Sequence, residues 1–367
     1  MKLGVLTNLM GDKPLEEVLK ILKPLGVQMI ELGCGGYPGK AHCNPEVLLH
    51  SETELDRFKE LIKKYEMPIS ALSCHGNPIH PNKDLAAMFD HDIRDGILMA
   101  EKLGIRQINT FSGCPGDCED SKLPNWVTCA WPDDYMEIKK WQWEEKLIPY
   151  WTDLAKFAKD HGVDQIAFEL HPGFCVYNTA TMLAIREAVG PEIGANLDPS
   201  HLFWQGMDPV EVIRVLGEKK AIFHFHAKDT RIDAHNTAIN GVLDTGHYSN
   251  LLTRSWSFRT VGYGHDADVW KDIISMLKKV GYNYVLSIEH EDGLMSTREG
   301  LTKAIAFLQK ALIYENNDRN EPGIKNKGPL PDSGAAFLCR AENMFRKANT
   351  SCIILRHNTA GDAFPGK

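Results

Sequence analysis

Four residues in the second half of the chain share one setting. Glu169, Asp198, His226 and Glu289 each stand at the end of a short apolar run: Gln165–Leu170, Ile193–Leu197, Ile222–His226 and Tyr284–Ile288. A charged group at the end of a buried strand is costly unless it is paired or bound to a metal. Three carboxylates and one imidazole brought to a single point would repel one another without a cation. Such oxygen-rich ligation suits Mn²⁺ or Mg²⁺, with Co²⁺ as a further choice, whereas a structural zinc prefers Cys and His. Four protein ligands leave room in an octahedral shell for two substrate oxygens. The competing reading for any one of these residues is a local ion pair or a helix cap. Asp198, before Pro199 and Ser200, has the form of a cap. Four run ends that agree favour the metal.

The stretch Ile222–Asp229 adds to this. His224, His226 and Lys228 alternate with apolar residues, so a strand would carry all three on one face. His75 follows another apolar run, Ile69–Cys74.

These residues need a scaffold that gathers strand ends. Strand-like runs recur at Leu3–Asn8, Met29–Gly33, Ile69–Cys74, Gln107–Phe111 and the four named above. Between and after them lie amphipathic runs at Pro14–Leu25, Glu52–Tyr65, Leu85–Leu103, Tyr135–His161, Thr179–Val189, Asp208–Leu216, Val269–Val280 and Thr297–Leu312. Strict βα alternation implies a parallel sheet with right-handed crossovers, and eight units predict a closed (β/α)₈ TIM barrel over residues 1–313. An open doubly wound sheet is the alternative, but no Gly-rich dinucleotide fingerprint follows the first run. Barrel enzymes build their sites at the C-terminal ends of the strands, where all four residues fall. Two connections, Ser112–Asp134 and Arg231–Asp268, are long enough to be site walls or lids.

The pattern changes after residue 313. Asn316–Ser333 is rich in Asn, Asp, Pro, Gly and Lys and reads as a linker. Residues 314–367 are expected to be a C-terminal extension with one short helix, Ala341–Lys347, serving either as a tail without catalytic function or as a docking arm for another subunit.

Composition narrows the partners. The 367-residue chain has a formal net charge of −8 and no basic run in its body, which disfavours nucleic acid. No apolar stretch approaches the ~20 residues needed to span a bilayer. The N-terminus enters a strand directly without a signal-peptide layout, so a cytoplasmic protein is expected. Nine irregularly spaced cysteines argue against a disulfide framework. Cys114, Cys118 and Cys129 lack the second CxxC pair of a structural zinc site and are read as reduced thiols.

Phe168-Glu169-Leu170-His171-Pro172-Gly173, Asn196-Leu197-Asp198-Pro199-Ser200-His201, His224-Phe225-His226-Ala227-Lys228-Asp229 and Ser287-Ile288-Glu289-His290-Glu291 together resemble the xylose-isomerase-like sugar phosphate isomerase/epimerase superfamily. Its members include ketose 3-epimerases and inosose isomerases and dehydratases. The resemblance covers residues 1–313. It implies Glu169, Asp198, His226 and Glu289 as metal ligands, with Mn²⁺ the first choice, and the two glutamates as the acid/base pair. It implies His201 in substrate binding. An Arg expected six residues after the ligand His is Ile232 here, with Arg231 one position short. His75, Lys228, Trp204 and Arg259 complete the candidate substrate contacts. No cofactor beyond the metal and no phosphate loop is indicated. The expected activity is isomerisation or epimerisation of a keto-sugar, keto-glycoside or cyclitol by proton transfer α to a carbonyl. The alternatives are a dehydratase or lyase on the same metal site, a phosphodiester nuclease of the endonuclease IV type, which the acidic charge disfavours, and a non-catalytic binding protein. The resemblance also implies a homo-oligomer, while the tail and the long loops would suit an accessory subunit.

Overall fold

The structure, a computed structural model, describes residues 1–315. The linker, short helix and docking arm expected beyond them lie outside the described residues. Among the described residues ten strands occur: β1 (Lys2–Leu6), β2 (Met29–Gly33), β3 (Ile69–Ser73), β4 (Gln107–Thr110), β5 (Gln165–Glu169), β6 (Ile193–Leu197), β7 (Ile222–Ala227), β8 (Asp229–Ile232), β9 (Trp256–Arg259) and β10 (Val285–Ile288). β1 to β7 and β10 close into a parallel barrel, and β8 pairs antiparallel with β9 outside it. The chain therefore forms the (β/α)₈ barrel that the alternation predicts.

Hydrophobic burial on both sides of the strands explains the closure. β2 and β6 are buried at every residue, as parallel strands covered by helices must be. The helices bring one apolar face each. Glu52–Tyr65 buries Leu55 and Phe58, and Ser51 caps it by accepting from the Glu54 backbone N–H. Lys83–Leu103 is capped by Asn82 and ends at Gly104, whose φ of 68° is the left-handed stop that glycine favours.

Two connections depart from the expected pattern. The helix predicted over Tyr135–His161 is divided into Asp134–Trp141, a π-helical turn at Gln142–Leu147, and Ile148–Asp160. Pro149 lies just inside the third piece; it has no N–H to donate and its ring crowds the preceding turn, so the helix widens there. Gln142 turns inward and donates to the carbonyls of Gly116 and Asn125, tying down the 112–134 connection. The second long connection, read as a lid loop, contains the β8–β9 pair and a helix at Ala234–Asn240.

All seven described cysteines are free, Cys118 and Cys129 exposed and the others buried. Among the described residues no cysteine belongs to a cluster able to hold a metal, and no helix is long and apolar enough to cross a membrane.

Candidate metal centre

The barrel brings four strand ends to one place. Glu169 is the last residue of β5, His226 lies near the end of β7, and Asp198 and Glu289 directly follow β6 and β10. Each offers a donor atom, and the four atoms lie within 4.8 Å of one another. Donors on opposite sides of an octahedral ion at about 2.1 Å stand about 4.2 Å apart, so little side-chain movement separates this arrangement from a filled shell. Asp198 caps the helix Pro199–Trp204 with one oxygen only: Oδ1 accepts from the Ser200 N–H at 2.8 Å. Oδ2 is buried and accepts no hydrogen bond, although Lys228 Nζ stands 3.2 Å and His201 Nε2 3.5 Å from it. Cap and ligand are thus compatible roles for its two oxygens. A buried carboxylate oxygen facing two further carboxylates and an imidazole fits a divalent cation that prefers oxygen.

His226 is the hub. Its Nδ1 stands 3.2 Å from Glu169 Oε2 and 3.1 Å from Glu289 Oε2. Its Nε2 stands 3.0 and 3.1 Å from the two oxygens of Glu31 on β2. Glu31 also accepts from Ser73 at 2.5 Å, Ser287 at 2.6 Å and Asn109 at 2.8 Å. It is fully buried, a cost that four polar partners offset. A carboxylate that receives one ring nitrogen of a histidine fixes the ring and leaves the other nitrogen for a metal. The sequence reading missed Glu31. Its signal was present: Met29-Ile30-Glu31-Leu32-Gly33 is an apolar run broken by one glutamate.

Glu169 is held on both oxygens. His201 Nε2 lies 3.1 Å from Oε1, and His75 Nε2 lies 3.1 Å from Oε2. Burial raises the cost of its charge, but the adjacent imidazoles of His201, His226 and His75 outweigh this and hold the carboxyl well below the usual range. Burial likewise opposes charge on Glu289, yet Lys228 and His226 bring it down to about 2. Asp198 is raised, burial prevailing over Lys228 and His201. His171 is driven down to about 3 by burial and by His201, and His224 to about 4, chiefly by burial. His224 is a buried structural neighbour of the hub. It bonds Asn196 Oδ1 at 3.1 Å and Ser70 Oγ at 3.3 Å.

Lys228 emerges just past β7, 2.9 Å from Glu289, 3.2 Å from Asp198 and 3.1 Å from Glu291. Its ammonium also lies 4.6 Å from the ring centre of Phe258 on β9. A cavity of about 160 Å³ opens above these groups. Tyr37, His75, Phe111 and His171 form one side, and Glu169, Lys228, Glu289 and Glu291 bring charge to it.

Of the expected substrate contacts, His75 and Lys228 line this cavity, and His201 reaches it through Glu169. Trp204, Arg231 and Arg259 are not among its lining residues. Trp204 stacks on Trp256 with ring centres 4.5 Å apart, in a small apolar cluster with Phe258. Arg231 is exposed on β8 and donates to the Gly264 carbonyl. Arg259 is bound to Asp292 at 3.1 Å. The reason is common to both arginines: past Lys228 the chain leaves the barrel and pairs as an antiparallel ribbon, which gives their side chains other partners.

Residues 19–311 match the family described as xylose isomerase-like TIM barrel. The chain is 38% identical over 315 residues to the uncharacterized protein YfiH of Bacillus subtilis (strain 168), a match that covers 85% of this chain and 99% of that one. Among solved structures, it is similar to the IOLI protein with a bound zinc atom, at 20% identity and a TM-score of 0.58 over 85% of this chain and 98% of that one. It is also similar to a D-psicose 3-epimerase crystallised in the presence of D-fructose, at 15% identity and a TM-score of 0.52 over 85% of this chain and 99% of that one. At these identities the two structures show the shared fold.

Proposed function

We propose that this chain, which belongs to the xylose isomerase-like TIM barrel family, is a divalent-metal-dependent isomerase or epimerase of an uncharged keto-sugar, keto-glycoside or cyclitol. The observation that carries this reading is the convergence of two glutamates, Glu169 and Glu289, on one imidazole beside one cavity. Epimerisation needs two proton-transfer groups, because one base cannot reach both faces of a carbon.

Glu169, Asp198, His226 and Glu289 would hold the cation, with Mn²⁺ the first choice on their oxygen-rich chemistry and zinc the precedent of the IOLI structure. The bound ion supplies polarisation of a carbonyl and of the neighbouring hydroxyl oxygen, which acidifies the C–H between them. One glutamate then takes that proton to leave an enediolate, and the other returns a proton. His75 and His201 keep the Glu169 carboxylate oriented from both ends. Lys228 neutralises part of the acidic wall.

Charge limits the substrate. Among the described residues, Lys228 is the only lysine or arginine lining the cavity, and it is already shared by Asp198, Glu289 and Glu291. Among the described residues no further side-chain cation lines the cavity to receive a phosphate or carboxylate. This favours an uncharged sugar or glycoside over a phosphorylated or acidic one.

The test is solvent deuterium incorporation into a panel of ketoses, inososes and keto-glycosides by the Mn²⁺-loaded protein. Deuterium at a carbon α to the carbonyl, lost on chelation, is the expected result; product analysis then separates epimerisation from elimination. Absence of exchange across the panel overturns the reading.

A further inference from the structure

The two sides of the 160 Å³ cavity differ. One bears the carboxylates and Lys228; the other is aromatic and continues past the mouth. Phe111 is its centre, stacked on Phe174 at 4.3 Å and meeting His75 at 4.7 Å and His171 at 4.9 Å edge-on. Tyr37 extends this wall outward, 6.1 Å from Phe111 and 5.2 Å from Phe89. Tyr37 is 63% exposed although it lines the cavity.

The loop that carries Tyr37 is pinned to the barrel. The Tyr37 N–H donates to the His75 carbonyl at 2.7 Å. The Gly36 N–H donates to Asp92 at 2.8 Å, and Lys40 pairs with the same carboxylate at 2.7 Å. Gly36 has a φ of 62°, and a Cβ there would lie 2.0 Å from the His75 oxygen, so the loop sits as close as a glycine allows. Tyr37 is thus an exposed ring on a held backbone.

Drug-sized ligands occupy pockets of about 300–1,000 Å³. A cavity of 160 Å³ holds a single small ring, and anything attached to that ring must lie outside, where Tyr37 is the exposed end of the wall. We infer that Tyr37 is a specificity-determining platform for a flat apolar or aromatic substituent on the sugar, so that the substrate is a keto-glycoside rather than a free sugar. A rigid ring stacks such a substituent at little entropic cost. This inference rests on the proposed sugar chemistry of the site.

The test separates the two. Binding of phenyl and methyl glucosides, which need no reaction, is measured by calorimetry for the Mn²⁺-loaded wild type, Tyr37→Ala and Tyr37→Phe. The phenyl compound is expected to bind the wild type about tenfold more tightly. That preference should vanish in Tyr37→Ala and persist in Tyr37→Phe. Equal binding of the two glucosides by the wild type, no binding of either, or an unchanged preference in Tyr37→Ala each overturns the platform. The deuterium exchange panel reads the chemistry separately. Exchange on free ketoses with no phenyl preference removes the platform and keeps the isomerase. A phenyl preference without exchange on any compound keeps the platform and removes the isomerase.

Discussion

The two ends of the barrel hold cavities of opposite character. At the N-terminal mouth a cavity of about 610 Å³ is bordered by Ser70, Arg106, Gln107, Lys220 and Tyr284 among others. None of its lining residues is Asp, Glu, His or Cys. Its one guanidinium, Arg106, is already bound to Asp164. At the C-terminal rim a cavity of about 160 Å³ gathers three carboxylates, two imidazoles and a lysine. The smaller space holds the converging titratable groups. The difference teaches that convergence of titratable groups, rather than volume, is what marks the proposed working end of this barrel, as the general polarity of the fold leads one to expect.

The sharpest way to break the comparison is at the rim. Glu289→Gln keeps a side chain of the same size and removes a proton acceptor. Deuterium exchange is expected to fall by about 10³-fold, with the metal still bound by the other three ligands. Retained metal is checked by elemental analysis of the purified variant. Unchanged exchange would remove Glu289 from the acid/base pair.

Metal linkage comes next in size. An ion that binds the folded chain alone stabilises it, by about 2.7 kcal/mol at one hundred times its Kd. Mn²⁺ is therefore expected to raise the Tm of the wild type and chelator to lower it. Asp198→Asn should lose most of that response, since it removes the charge of one of the four converging ligands. A Tm rise of equal size in both proteins would place the ion elsewhere.

Glu31→Gln tests the layer beneath. The amide has one acceptor where the carboxylate has two, and it turns a donor toward Ser73, Ser287, Asn109 or His226. Supports of this kind contribute about 10- to 100-fold in metal affinity. A titration with Mn²⁺ is expected to show a loss in that range. Affinity equal to wild type would make Glu31 a packing residue of the barrel interior.

How much of this was legible before the structure varied with the kind of signal. Glu169, Asp198, His226 and Glu289 were readable because each ends an apolar run, and the parallel barrel turns that position along the chain into a position in space. Glu31 sits inside β2 rather than at its end, so the same rule passed over it. The side chain reaches along the barrel interior to His226, a contact spanning 195 positions that no local pattern encodes. Arg231, Arg259 and Trp204 show the converse. Nearness in sequence to a ligand says little once the chain leaves the sheet. β8 and β9 are four residues each and separated by 23 residues, too short and too distant for alternation to announce the pair. The π-helical turn escaped because its amphipathic period differs little from that of the helices on either side, although Pro149 was visible.

The smallest expected effect lies at the other mouth and completes the comparison. Lys220 has a φ of 51°, just beyond the helix Pro209–Glu218, and lines the large cavity. A lysine in the left-handed region carries a steric cost that glycine does not. Lys220→Gly relieves it, while added freedom in the unfolded chain offsets part of the gain. The net expectation is stabilisation of about 0.5 kcal/mol, read as a rise in Tm of about 1–2 °C. Exchange activity and metal affinity should equal those of the wild type, because Lys220 lines the N-terminal cavity and not the one at the rim. If instead this substitution lowered deuterium exchange severalfold, the N-terminal mouth would be part of the working machinery, and the contrast between the two ends would fail. A rise in Tm at constant activity would show that the bottom of the barrel answers to stability alone, while the top tolerates buried charge for the sake of its chemistry.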